Sequence, residues 1–181
     1  MDKLAIIIDD AISKGYQNKV KGILNSYDFP WHFMLNVTSS EKEGVVDSTG
    51  FSNIIFSEDN KIQTKYMDIL SPILYEAVDK FDNDQDIKKI FRIKAGMFVK
   101  NQTEEPHLAH VDRPYFHYTM LYYVNDSDGS TQLYDGEGGK VVKEIEPKKG
   151  RAVILDGNIY HASSCPKNHA NRIVINYNFL I

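Results

Sequence analysis

The last strand of the chain constrains the fold more than any other segment. Residues 172–179 read RIVINYNF. Period-two alternation places Arg172, Val174, Asn176 and Asn178 on one face, and Ile173, Ile175, Tyr177 and Phe179 on the other. The second face is an apolar exterior on which helices can pack. The first face carries an arginine and two amides, so it lines the interior of a barrel. A buried guanidinium is costly unless it meets an anion. Its planar fork suits a carboxylate. The strand therefore predicts a layered β structure with a place for an acid inside.

The chain changes character near residue 88. From there KKIFRIKAGMFVK alternates Phe91, Ile93, Ala95 and Met97 against Lys88, Ile90, Arg92 and Lys94. Further strands are expected at 117–124, 130–135, 140–145, 151–155, 159–163 and 171–180. Turn chemistry separates several of them, as at Asn125 to Gly129, Gly136 to Gly139, Pro147 to Gly150 and Asp156-Gly157-Asn158. Before residue 88 the pattern is mixed. Residues 9–25 read as a helix, with Ile12, Tyr16, Val20 and Ile23 near helical spacing. FPWHFMLNV (29–37) reads as an extended aromatic segment. Ser71-Pro72 looks like an N-cap followed by a first-turn proline, with Ile73, Leu74, Ala77, Val78 and Phe81 as a buried stripe. The reading is α+β, mainly β. Residues 1–181 form one domain, with 1–87 as helical and mixed support and 88–181 as the β core.

Bulk properties narrow the function. A chain of 181 residues can bury a sizeable core, and 25% charged with 42% apolar residues is ordinary for a globular protein. The net charge of −4 disfavours a nucleic-acid binder. A basic face of Lys88, Arg92, Lys94 and Lys100 is explained more simply as a solvated strand face. One cysteine, Cys165, excludes an internal disulfide. The apolar run Leu4–Ile8 is too short for a signal peptide or a membrane span. A cytoplasmic location is expected.

Three residues could close around one metal ion: His110 and Asp112 in HVD, and His161 in IYHAS. His-x-acid alone means little, since a chain of this make-up yields roughly one match by accident. Placement gives it weight. HVD lies between strands, and alternation puts His110 and Asp112 on one side of extended backbone. His161 follows a tight DGN turn, where a return strand can bring a third ligand. Two imidazoles and a carboxylate are the ligand set of non-heme Fe(II) sites with open positions. His107 precedes His110 by three residues, but Pro106 and the β context argue against a helical zinc site, so it is read as loop or substrate-mouth chemistry. His32, His117 and His169 are read as structural or exposed. In HYTMLYYV, His117, Thr119, Leu121 and Tyr123 share a side. If that side is interior, Tyr123 can donate to the carboxylate that Arg172 holds.

These residues together resemble the Fe(II)- and 2-oxoglutarate-dependent oxygenases, in particular their prolyl-4-hydroxylase-like branch. The resemblance runs from about residue 90 to the C-terminus, on HVD, TMLYYVND, His161 and Arg172. It implies a double-stranded β-helix (jelly-roll) core with N-terminal supporting helices. It implies His110, Asp112 and His161 as iron ligands, Arg172 and Tyr123 as holders of the distal carboxylate of 2-oxoglutarate, and Asn176 near the iron-bound end. Val174 stands where the family often has a small hydroxyl residue, and Phe98 occupies the region of a further tyrosine. The implied activity is hydroxylation of an unactivated C–H, in a prolyl residue or a small molecule, with O2 as co-substrate and succinate and CO2 released. Ascorbate is a candidate reductant. Related halogenases lack the carboxylate, so Asp112 favours hydroxylation. The expected partner is a peptide, protein or small-molecule substrate, with no membrane. Trp31, Tyr115 and Phe116 suit an aromatic mouth or, equally, aromatics that close the edge of the core. The competing functions are a non-catalytic metal-binding jelly-roll module and a nucleic-acid demethylase.

Overall fold

Alternation in the second half of the chain resolves into two facing antiparallel sheets. A computed structural model describes residues 4–36, 49–81, 85–101 and 106–181. Among these, the strands are β1 (Ile6–Ile8), β2 (His32–Met34), β3 (Gly50–Ser57), β4 (Ile62–Gln63), β5 (Lys89–Val99), β6 (Tyr118–Tyr123), β7 (Thr131–Tyr134), β8 (Val141–Ile145), β9 (Ala152–Asp156), β10 (His161–Ser163) and β11 (Asn171–Leu180). Helices α1 (Lys14–Leu24) and α2 (Met67–Phe81) complete the elements. The large sheet runs β1-β9-β6-β11-β5-β3-β2, with β4 on β3, and the small one runs β10-β7-β8. Leu133 and Ile145 of the small sheet pack with Leu121, Tyr123, Val153 and Val174 of the large one.

The outer face of the large sheet is the one the helices cover. Ile173, Ile175, Tyr177 and Phe179 are completely buried in a cluster with Leu70, Ile73, Leu74, Ala77 and Val78 of α2 and Val20 and Leu24 of α1. Burying each such side chain stabilises the fold by about 1.5–3 kcal/mol. A one-residue slip of β11 would forfeit all four at once. That outweighs the several kcal/mol that desolvating one guanidinium costs, so β11 carries Arg172 inward. The Tyr177 hydroxyl donates to the carbonyl of Leu70 at 2.8 Å, tying strand to helix.

The N-terminal half departs from the sequence reading in three places. Helix α1 begins at Lys14, after the N-cap Ser13, because Asp10 adopts a left-handed turn with φ of 51°. Helix α2 begins at Met67, so Pro72 sits inside it rather than at its start. Proline lacks the N–H that would bond back to Asp68. Nearby, Tyr16 and Tyr177 donate to the carbonyls of Ile69 and Leu70, so outside hydroxyls serve the stretch that proline disturbs. Strands β1 and β3 join the large sheet through β9 and β5, so both halves of the chain build it. The aromatic segment contributes β2, and its last residue, Val37, lies outside the described residues. No described helix is long and apolar enough to cross a membrane.

Candidate metal centre and co-substrate pocket

His110 and His161 form an isolated antiparallel bridge, exchanging both backbone hydrogen bonds at 3.0 Å. Directly paired residues project to the same side, and the two rings lie 4.9 Å apart. Asp112 is two residues along and returns to that side. One ligand atom from each of His110, Asp112 and His161 falls within 4.8 Å of the other two. Each Nδ1 faces a backbone carbonyl, Leu108 at 3.0 Å and Ile159 at 3.1 Å. A carbonyl only accepts, so Nδ1 carries the proton and Nε2 presents its lone pair. His161 Nε2 lies 3.8 Å from Asp112 Oδ2. Burial, reinforced by His161, pulls His110 below the usual histidine range, which keeps its imidazole neutral and able to ligate.

Asp112 is held from several strands. Arg92 of β5 pairs with Oδ1 at 2.7 Å. Oδ2 accepts from Asn178 at 2.9 Å, Asn176 at 3.0 Å and Thr119 at 3.2 Å. Burial would raise this carboxyl, but the Arg92 charge, the two imidazoles and the Asn176 amide outweigh it and hold it far below the ordinary carboxylate range. Asp112 therefore stays ionised. Asn176 was expected near the metal and is found on the carboxylate. The roles of Arg92, Thr119 and Asn178 were missed, although alternation already put Thr119 and Asn178 on the interior faces.

The cavity between the sheets runs from these residues to Arg172. It holds about 610 Å³ of empty space with its open mouth included, and Lys94, Gly96, Phe98, His107, Leu121, Thr131 and Val174 contribute to its walls. Arg172 is 1% exposed. Its Nη2 donates to Thr131 Oγ1 at 2.8 Å, while Nε and Nη1 have no partner among the described residues. Thr131 Oγ1 also accepts the Tyr123 hydroxyl at 2.7 Å. Arg172 stacks against the rings of Phe98 and Tyr123, each centroid 5.5 Å away. Thr131 is thus a link between Tyr123 and Arg172 that the sequence did not reveal, because lone threonines in strands are common.

A family model for the 2OG-Fe(II) oxygenase superfamily matches residues 90–180, half of the chain. The chain belongs to the 2OG-Fe(II) oxygenase superfamily. Solved structures agree on the fold of this oxygenase. An oxidoreductase of the 2OG-Fe(II) oxygenase family from Burkholderia pseudomallei superposes with a TM-score of 0.73 at 10% identity, over 97% of this chain and 84% of that one. A prolyl hydroxylase from Trichoplax adhaerens, solved with a hypoxia inducible factor peptide fragment, gives 0.67 at 17%, over 99% and 84%. The non-heme alpha ketoglutarate dependent epimerase SnoN from nogalamycin biosynthesis gives 0.64 at 10%, over 98% and 78%. Comparison with curated proteins found no match. The architecture is the double-stranded β-helix with supporting helices, and the cofactors of the oxygenase are Fe(II) and 2-oxoglutarate. The buried donor set fits both: two imidazole Nε2 atoms with an ionised carboxylate suit iron, and two orphaned guanidinium nitrogens suit an acid.

Other expectations need correction. Arg92 and Lys94 line the cavity of the oxygenase, so they are not a solvated face, while Lys88 and Lys100 are exposed. A strand covered by helices on one side and facing a polar cavity on the other turns these two charges toward the cavity. Trp31 donates from Nε1 to the Leu24 carbonyl at 3.0 Å and packs on Phe29, closing the end of α1. Tyr115 packs on Phe91, and Phe116 packs on Tyr118. None of the three is among the residues that line the cavity. His107 does line it, buried against Phe98 with Nδ1 2.9 Å from Ser163 Oγ. The turn at 125–129 is a turn as expected, with Asn125 accepting from the Ile173 amide and Asp128 from those of Lys167 and Asn168.

Proposed function

We propose that this oxygenase is a hydroxylase of the prolyl-4-hydroxylase-like branch. It acts on an unactivated C–H of a prolyl residue or a small molecule. Arg172 supports this reading best, as a buried guanidinium with two free nitrogens, across a cavity from a complete ligand triad. In this reading His110, Asp112 and His161 hold the iron. Arg172, positioned by Thr131 and Tyr123, takes the distal carboxylate of 2-oxoglutarate. Bound iron, with 2-oxoglutarate and O2, supplies the oxidising power that inserts oxygen into the C–H bond and releases succinate and CO2.

The protein residues perform the rest. The two Nδ1–H donors fix the imidazoles, and Arg92, Asn176, Asn178 and Thr119 fix the carboxylate. The two facing sheets keep bulk water from the reacting atoms. Both kinds of substrate are in keeping with the structural relatives, since the Trichoplax prolyl hydroxylase was solved with a hypoxia inducible factor peptide fragment and SnoN with nogalamycin RO. A non-catalytic module would be expected to lack a ligand or the acid clamp, and both sets are present here. The demethylase reading rested on a basic strand face, and two of its four residues point inward.

The test is uncoupled turnover. Enzyme loaded anaerobically with Fe(II), then given 2-oxoglutarate and O2, is expected to form succinate. Asp112→Ala should lower the rate by about 100-fold or more, since a ligand matters at least as much as the outer groups that support it. Equal succinate from both proteins would overturn the assignment.

A further inference from the structure

We infer that Lys94 is a substrate-recognising residue of this site, and that the primary substrate presents a carboxylate to it. The inference rests on the proposed hydroxylase reading and extends it to a substrate class. Two guanidinium groups, one amine and one acid line the cavity: Arg92, Arg172 and Lys94 against Asp112. Arg92 is engaged by Asp112 at 2.7 Å. Arg172 is assigned to the distal acid of 2-oxoglutarate. Iron brings two positive charges and 2-oxoglutarate two negative ones, so loading leaves the surplus unchanged. Among the described residues Lys94 has neither a hydrogen bond nor a salt bridge.

Strand register separates Lys94 from the 2-oxoglutarate clamp. Along the β5–β11 pair, Arg172 lies opposite Phe98, Val174 opposite Gly96, and Asn176 opposite Lys94. Phe98 and Lys94 are four residues apart, about 13 Å of strand. Lys94 thus sits in the row of Asn176, which holds the metal-binding carboxylate, and Gly96 leaves the wall between it and Phe98 without a side chain. A cation at the metal end of the cavity meets whatever approaches the reacting centre. Burial also pulls Lys94 below the usual lysine range, a cost that an incoming anion offsets. A carboxylate on an ammonium is a charge-assisted hydrogen bond, worth about tenfold or more in affinity.

Matched acids and amides test this. N-acetyl-L-proline is compared with N-acetyl-L-prolinamide, the same pairing is repeated for other acetylated amino acids, and short Asp-containing peptides are compared with their Asn counterparts. Calorimetry measures affinity for the anaerobic Fe(II)- and 2-oxoglutarate-loaded enzyme, and mass spectrometry detects gain of one oxygen after O2 is admitted. In at least one pair the acid should bind about tenfold or more tightly than the amide. The free-acid and peptide arms show which kind of molecule carries the carboxylate. Lys94→Met should bring the ratio close to one, and Lys94→Arg should restore most of it. The inference is overturned if acids and amides bind wild type alike, if no member binds, or if Lys94→Met keeps the ratio. It is also overturned if Lys94→Met instead weakens 2-oxoglutarate tenfold. Failure of the hydroxylase reading shows separately, as absence of succinate from wild type.

Discussion

Each end of the cavity holds a guanidinium, and the two are partnered in opposite ways. Arg92, partly exposed, is paired with Asp112, which also accepts from Asn176, Asn178 and Thr119. Arg172, almost completely buried, meets no acid among the described residues and leaves two nitrogens without partners there. The first arginine finishes a piece of internal architecture; the second is an unfinished one. A buried charge without a counter-ion marks a binding role, whereas a paired one marks support for a neighbour.

Substitutions at the two arginines should therefore behave differently. Arg172→Met is expected to have the largest effect, raising the KM for 2-oxoglutarate about 100-fold, while the melting temperature of the unloaded protein stays constant or rises because an uncompensated charge is gone. A fall in melting temperature with an unchanged KM would break the comparison. Arg92→Met should weaken Fe(II) binding by about tenfold, as loss of an outer partner does, and should lower the melting temperature of the unloaded protein because Asp112 loses its cation. Thr131→Val removes the acceptor shared by Arg172 and Tyr123. Its expected cost is about five- to tenfold in 2-oxoglutarate KM, read in uncoupled succinate assays.

The smallest effect should come from a carboxylate outside the cavity. Asp128 accepts from the amides of Lys167 and Asn168 and from His169, and it is held well below the ordinary aspartate range although burial opposes this. A depressed folded value means its contribution is present above the unfolded value of about 3.9 and is lost as pH falls through the folded one. Asp128→Ala should lower the melting temperature by a few degrees at neutral pH, with the difference vanishing in acid and no change in 2-oxoglutarate affinity. Thermal melts at a series of pH values check this.

What could be read from the sequence follows from how strongly each residue is constrained. The seven strands expected after residue 88 all appear, those from β6 onward with ends within two residues, because alternation and turn residues agree there. The convergence of His110, Asp112 and His161 and the burial of Arg172 were legible because such side chains have few uses inside a barrel. Arg92 and Lys94 were misjudged, since a strand buried on both sides shows the same alternation as one facing water. Pro72 was misplaced because its local signal suits a helix start, while the helix face from Leu70 to Val78 is set by packing on β11. Trp31, left open between a substrate mouth and the core edge, closes a helix end, a partnership nothing nearby in sequence announces.

The mutual bridge of His110 and His161 has a consequence for how the metal arrives. Each residue supplies both backbone hydrogen bonds of the other, which fixes the two Cα positions, and each ring is held in turn by its Nδ1 contact to a backbone carbonyl. On the proposed reading, iron enters a template that exists beforehand, unlike small zinc domains that fold only around their ion. Chelation should leave the scaffold standing, ready to be recharged.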